Sequence, residues 1–248
     1  MKKIAIVTGG SSGIGEATAR ELSKRGWGVA VTYSKDAKKA EKVAAEIQGF
    51  PIRGDVAQDA DCRRIAKEVL AKWGRIDALV NNAGTTKFVK HADLEGLSAE
   101  DFERIFRVNV VGPFQMIRAC AAALKESRGA VVNVSSVAAL LGTGSSVAYA
   151  ASKAALETMS FSLARSLGPE VRVNIVAPGH VNTPWQVNAH GEKGAEEIAQ
   201  RFASIAPLKT ACEAEDVADA IVWLIEGARR VTGERLYVDS GVHIASSR

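Results

Sequence analysis

Apolar positions along the chain gather into short β-branched runs separated by longer stretches with a helical repeat. The runs at 3–8, 28–33, 50–53, 78–81, 130–135, 172–176 and 235–238 predict seven strands. Between them, amphipathic stretches at 13–24, 36–47, 60–73, 99–124, 148–166 and 213–225 predict helices. Strict alternation of strand and helix calls for right-handed crossovers and a parallel sheet with helices on both faces, so the expected fold is doubly wound α/β. Continuous apolar runs such as Ala130-Val131-Val132 fit strands covered on both faces. Gly26, Gly49, Gly74, Gly129 and Gly168 each fall between a helix and the next strand, where a left-handed residue commonly ends a helix. No linker, repeat or low-complexity stretch divides the pattern, and residues 1–248 are expected to form one domain.

Composition narrows the function classes. With 47% hydrophobic and 24% charged residues the chain is ordinary globular material, far from a disordered composition. The net charge is +4, but the 32 Lys and Arg are interleaved with 28 Asp and Glu, which argues against a nucleic acid partner. The densest basic group, residues 35–42, contains Asp36 and Glu41 and no aromatic ladder, and reads as a solvated helix face apart from Lys35. Cys62, Cys120 and Cys212 fit no ligand spacing and imply a reducing compartment and no metal. His91, His180, His190 and His243 are scattered and are expected on the surface or in loops. The apolar run after Lys2-Lys3 stops at Thr8-Gly9-Gly10, too short for a signal peptide or a membrane span, so a cytoplasmic protein with no membrane partner is expected.

Chemistry-bearing residues follow the strands. Directly after the first comes Thr8-Gly9-Gly10-Ser11-Ser12-Gly13-Ile14-Gly15, opening a helix. Glycines there let main-chain amides approach a pyrophosphate at the positive end of the helix, although glycines also make ordinary turns. The spacing Gly9, Gly13, Gly15 differs from GxGxxG and resembles that of the short-chain dehydrogenase/reductase family. Further motifs carry the resemblance in family order: Asn81-Asn82-Ala83-Gly84 after the fourth strand, Asn109-Val110-Val111-Gly112, Ser136 thirteen residues before Tyr149, Tyr149-Ala150-Ala151-Ser152-Lys153, and Pro178-Gly179 with Thr183. The resemblance implies a Rossmann-type fold, a catalytic set of Asn109, Ser136, Tyr149 and Lys153, and a nicotinamide cofactor. It also implies that Asn109 holds a water relaying protons from Lys153. The closing Asp239-Ser240-Gly241 departs from the family's Asp-Gly-Gly, which bears on local turn geometry.

The residues support that assignment on their own terms. Tyr149 and Lys153, four apart on a helix, share one face about 6 Å apart along the axis. An ammonium there is expected to lower a phenol pKa from about 10 toward the working range. Tyr149 then serves as general acid or base, and Ser136 offers a second hydrogen bond where negative charge develops. Taken singly, the pair could be a surface contact and the serine a strand end.

The cofactor set implied by the motifs is Gly9, Ser11, Ser12, Gly13, Ile14, Gly15, Tyr33, Ser34, Lys35, Asp55, Val56, Asn82, Ala83, Gly84, Tyr149, Lys153, Pro178, Gly179, Val181 and Thr183. After the second strand, Tyr33-Ser34-Lys35 offers hydroxyls and a cation where an acid would hold the ribose of NAD, so NADP(H) is favoured over NAD(H). Ser12 stands where many NADP-preferring relatives carry Arg or Lys. Asp55 could equally cap the next helix. Residues 181–207 make a long connection and by resemblance a substrate lid. Trp185 and Val187 in it, with Phe88, Leu140 and Leu141, suggest a partly apolar pocket. By resemblance, the chain is a homotetramer reducing a ketone or oxidising a secondary alcohol, similar to 3-oxoacyl carrier-protein reductases. An NAD-dependent sugar or alcohol dehydrogenase and a non-catalytic dinucleotide sensor are the alternatives.

Overall fold

The structure, a computed structural model, describes residues 2–245. Strands β1 (Ile4–Val7), β2 (Gly28–Tyr33), β3 (Phe50–Arg53), β4 (Ala78–Asn81), β5 (Ala130–Val134), β6 (Arg172–Pro178) and β9 (Arg235–Val238) form one parallel sheet in the order β3-β2-β1-β4-β5-β6-β9. The seven expected strands and the Rossmann-type winding are therefore present. The order reverses between β1 and β4, and in such sheets ligands sit beyond the strand ends at that switch point.

Side chains alternate across the sheet, as the pleat requires. Ala5 and Val7 face a core shared with α1 (Gly13–Lys24), α2 (Ala37–Glu46) and α9 (Ala214–Glu226). Ile4 and Ile6 face the opposite core, under α3 (Asp59–Trp73), α5 (Gly112–Ser127) and α7 (Val147–Leu167). Ile4, Ile6, Ile65, Leu79 and Leu124 are fully buried, each worth about 1.5–3 kcal/mol of transfer free energy. Two covered faces explain why the strands carry apolar residues at consecutive positions.

Several elements differ from the expectation. The single helix expected at 99–124 is α4 (Ala99–Phe106), a π-helical turn at Arg107–Val111, and α5. The widened turn, a feature that often marks functional sites, carries Asn109. The connection at 181–207 is not a bare loop. After the two-residue strand β7 (Val181–Asn182), which pairs with β8 (Cys212–Glu213), it forms α8 (Pro184–Ile205), broken at Gly191 with φ 70°. A short α6 (Ala138–Leu141) follows β5.

The glycine punctuation holds at Gly26 and Gly74, which are left-handed, and fails at three other positions. Gln48 and Arg128 take the left-handed turn in place of Gly49 and Gly129, and Gly168 is extended. Close approach explains Gly129, where a Cβ would stand 2.5 Å from the Asp77 carbonyl oxygen. In the closing turn Ser240 itself adopts φ 55°, a left-handed position that glycine occupies without strain.

Candidate active site

Beyond the carboxyl ends of β1, β2, β4, β5 and β6 lies a cleft of about 530 Å³. Its floor begins at the glycine turn. Gly9 and Gly13 hold φ of 63° and 54°, and a Cβ on Gly15 would lie 2.3 Å from the Gly9 carbonyl oxygen, so the turn closes only on glycine. Asn82 ties this turn to β4: its Nδ2 donates to the carbonyls of Thr8 and Gly9 at 3.0 and 3.1 Å, while its own amide donates to Thr8 Oγ1 at 3.0 Å.

Helix starts in this protein divide into capped and uncapped ones, Thr183 at the start of α8 being uncapped like Ser12 at the start of α1. Asp36, Ser98 and Ser146 cap α2, α4 and α7 by accepting from the main-chain amides of Lys39, Asp101 and Tyr149. Ser12, at the same position of α1, makes no such bond, so the first-turn amides of α1 open on the cleft. Uncapped amides at a helix N-terminus suit a phosphate group, and at this end the residues present fit the pyrophosphate of a dinucleotide.

Ser11, Ser12, Gly13, Ile14, Tyr33, Ser34, Lys35, Asn82, Ala83, Gly84, Ser136, Tyr149, Lys153, Pro178, Gly179, Val181 and Thr183 line this cleft with Gly9. Four expected residues do not. Gly15 is buried beneath the turn. Asp55 is exposed, its carboxylate accepting from the Ala57 amide rather than capping α3, and Val56 is packed against Gly112. Asn109 is fully buried, its Oδ1 accepting from the Thr85 amide at 2.8 Å and its Nδ2 donating to the Thr85 carbonyl and Ser152 Oγ, both at 3.0 Å. It stands close behind Gly84 and the Lys153 ammonium.

At the deep end of the cleft, Ser136 follows β5 and its Oγ accepts from the Ala138 amide at the start of α6. Tyr149 and Lys153 share one face of α7, with Nζ 5.6 Å from the phenol ring centre and donating to the Val134 carbonyl at 2.8 Å. The electrostatics differ from the expected lowering of the phenol. Burial pushes Tyr149 up to about 12, with the Ser136 hydroxyl working against it. Burial also brings Lys153 down to about 8, opposed by the Glu157 carboxylate one turn on. Desolvation is the largest influence on both groups; Lys153 is only 4% exposed and its ammonium is held on a main-chain carbonyl. At neutral pH the phenol keeps its proton.

A second cavity of about 540 Å³ adjoins the first, and Ser136, Tyr149, Gly179, Trp185 and Gln186 line both. Phe88 and Trp185 wall it as expected, whereas Val187, Leu140 and Leu141 lie outside its lining. Sequence reasoning passed over Lys39, which lines the first cleft four residues after Lys35, and Phe202 and His180, which line the second. His180 does lie in the loop between β6 and β7, as expected, but it is buried there, only 7% exposed. The helical spacing of Lys39 from Lys35 was a usable signal; nothing in the pattern marked His180. Among the described residues no group of three His, Cys, Asp or Glu could hold a metal, and no helix is long and apolar enough to cross a membrane.

A parallel sheet with an open glycine turn at its switch point and a Ser, Tyr, Lys cluster at the deep end of the cleft defines a dinucleotide-dependent oxidoreductase class. The family profile described as Enoyl-(Acyl carrier protein) reductase matches residues 9–243. The chain is 40% identical over 243 residues to a protein of Streptomyces violaceoruber named as ketoacyl reductase 2 of granaticin polyketide synthase, covering 97% of this chain and 96% of that one. It is 31% identical to the 3-oxoacyl-[acyl-carrier-protein] reductase FabG of Staphylococcus epidermidis, covering 98% of this chain and all of that one. A solved short-chain dehydrogenase/reductase from Burkholderia xenovorans superposes with a TM-score of 0.90 at 38% identity over 98% of each chain. The chain belongs to the short-chain dehydrogenase/reductase family of oxidoreductases.

Proposed function

We propose that the protein is an NADP(H)-dependent reductase of 3-oxoacyl or related ketone substrates, with Ser136, Tyr149 and Lys153 as its catalytic residues. One observation carries the reading: Ser136 and Tyr149 stand in the wall shared by the two cavities, where a group held in one meets a group held in the other. A dinucleotide along the first cleft supplies the hydride.

In this reading the chain's own groups do the rest. The open amides of the glycine turn and of α1 hold the pyrophosphate, and Lys153 and Tyr149 reach the nicotinamide ribose. Ser34 and Lys35 take the 2′-phosphate, assisted by Lys39. The Asp36 carboxylate beside them is engaged in capping α2 and in an ion pair with Lys39 at 3.6 Å. Ser136 donates to the carbonyl oxygen as charge grows on it, and Tyr149 delivers the phenolic proton. Asn109 acts as a positioning residue; with its carboxamide engaged by Thr85 and Ser152, a relay water would bind its main-chain carbonyl.

The segment 181–207, with α8, forms the lid. The assembly is a cytoplasmic homotetramer pairing α5 and α7 across subunits; exposed apolar Val111, Phe114 and Val147 at the starts of these helices support it. The test is NADPH oxidation against a panel of 3-oxoacyl thioesters, 3-oxo esters, simple ketones and sugars. Turnover of the oxoacyl compounds with NADPH ahead of NADH is expected. Cofactor binding with no turnover of any compound would favour a dinucleotide sensor.

A further inference from the structure

The face of α7 that carries Tyr149 and Lys153 stays polar as it runs into the core. Glu157 and Ser160 follow on it, 3% and 0% exposed, where an apolar stripe is the ordinary way to pack a helix on a sheet. Each of these side chains meets a successive residue at the end of β5. Ser160 Oγ accepts from Asn133 Nδ2, the Lys153 ammonium donates to the Val134 carbonyl, and Glu157 accepts from Ser135 Oγ, all at 2.8 Å. Ser136, next in line, meets the Tyr149 phenol. The second Glu157 oxygen accepts from the Arg235 guanidinium of β9. Glu157 is thus the rung of this ladder that joins α7, the β5 end and β9.

Stability is a weak reason for that rung. A buried ion pair often contributes no more than apolar side chains of similar size, because desolvation offsets the attraction. What the carboxylate does supply is a negative charge one helical turn from the Lys153 ammonium, which it favours against burial. It also fixes the hydroxyl of Ser135, the residue directly before Ser136. On β9 the groups facing Glu157 are Arg235, which pairs with it, and Tyr237, whose phenol feels both charges. Charged groups on other elements packed against α7 are directed elsewhere. Arg172 of β6 donates to the Leu224 and Ile225 carbonyls, Asp101 and Arg104 of α4 engage Lys87 and Thr85, and Glu100, Glu103 and Arg107 are exposed. Among the described residues, Glu157 is the anion acting on Lys153.

Resting on the reading of Ser136, Tyr149 and Lys153 as the reacting set, we propose that Glu157 is a positioning residue for them. Anchored by Arg235, its carboxylate keeps Lys153 an ammonium and holds the β5 end that carries Ser136 against the Tyr149 face of α7. Glu157 itself lines neither cavity and acts only through these neighbours.

The test compares wild type with two variants. Glu157→Gln keeps an acceptor for Ser135 and loses the charge. The double variant Glu157→Met with Arg235→Met replaces the ion pair by apolar side chains and is expected to fold, so it carries the test alone should Glu157→Gln fold poorly. Lysine labelled with ¹³C at Cε, its Lys153 signal assigned from Lys153→Met, gives the titration midpoint of the ammonium without any turnover. That midpoint lies at about 8 in wild type and is expected to fall by about one pH unit in both variants. In NADPH oxidation with ethyl 3-oxobutanoate, kcat then falls about fivefold at pH 8 and less than about twofold at pH 6.5, with KM for the ketone nearly unchanged. A merely structural role gives the opposite pattern, a loss independent of pH that the apolar pair restores. An unmoved midpoint, equal losses at both pH values, or full recovery in the double variant would overturn the proposal. If the midpoint falls as expected but wild type turns over no ketone, the reductase reading fails and the hold of Glu157 on Lys153 stands.

Discussion

The two cavities are nearly equal in volume and are built from different material. One half of the first is walled by a glycine turn, the ends of β1, β2 and β4, and the start of α1, so that half is shaped mainly by backbone conformation and by amides left uncapped. The second is walled by side chains from five separated places: the segment after β4, the residues around α6, Tyr149 of α7, the turn after β6, and α8. A backbone-built cleft constrains residue types at fixed spacing, because only certain φ values and close approaches close the turn. A side-chain-built cavity constrains only size and polarity, and tolerates many solutions.

The wall shared by the cavities gives the largest expected effect. Tyr149→Phe should lower kcat about 100- to 10,000-fold while leaving cofactor affinity nearly unchanged, since the proton donor is lost and the ring is kept. Stopped-flow reduction together with cofactor titration reads both, and a loss under about tenfold would remove the phenol from this role.

Within the backbone-built cleft, Gly15→Ala places a methyl 2.3 Å from a main-chain oxygen and 2.4 Å from Asn82 Nδ2. A loss of about 2 to 3 kcal/mol in chemical denaturation is expected from such overpacking, along with weakened cofactor binding. Parent-like stability would show that the turn yields, and that the contrast between the two cavities is less sharp than drawn.

Lys35→Ala probes a side chain at the cleft's outer end. NADPH affinity should fall about tenfold, the worth of one charge-assisted hydrogen bond, with NADH affinity unchanged. Equal losses for both cofactors would mean that Lys35 does not read the phosphate.

The smallest effect concerns Lys153 and stability. Its pKa is brought down from 10.5 to about 8 by burial, so between those values the unfolded chain holds a proton that the folded chain has released. Stability contributed by this group therefore rises with pH across that window, and the cost of burying the charge is fully present below about 8. Denaturation midpoints of wild type should gain on those of Lys153→Met from pH 8 to 10, a range that stops short of the opposing change at Tyr149, whose pKa is raised from 10 to about 12. Parallel curves would show that Lys153 is not desolvated.

How far the sequence could be read follows the same division. The seven sheet strands were legible because burial on both faces leaves consecutive apolar residues, as at Val131 and Val132. Tyr149 and Lys153 were placed together by helical geometry alone. Their protonation was misjudged: four-residue spacing shows an ammonium near a phenol, but the burial of both is a property of the packed site. The π turn at Asn109 was not read from the repeat either, since the helix runs on without a gap from α4 through it into α5. Ser136, thirteen residues from Tyr149 and on a different element, owes its position in the shared wall to the pairing of β5 with β4 and β6.

The sequence by itself determined the winding of the fold, the glycine turn, and the pairing of Tyr149 with Lys153, because each rests on local conformation or on a repeat a few residues long. Tertiary structure alone decided that Ser12 leaves α1 uncapped over the cleft, that Asp55 and Val56 lie outside it, and that His180 is buried against Phe202 with its Nε2 unpaired among the described residues. These outcomes depend on desolvation and on contacts between segments far apart in the chain, such as His180 with Cys212, and neither quantity is expressed in the order of residues until the chain has packed.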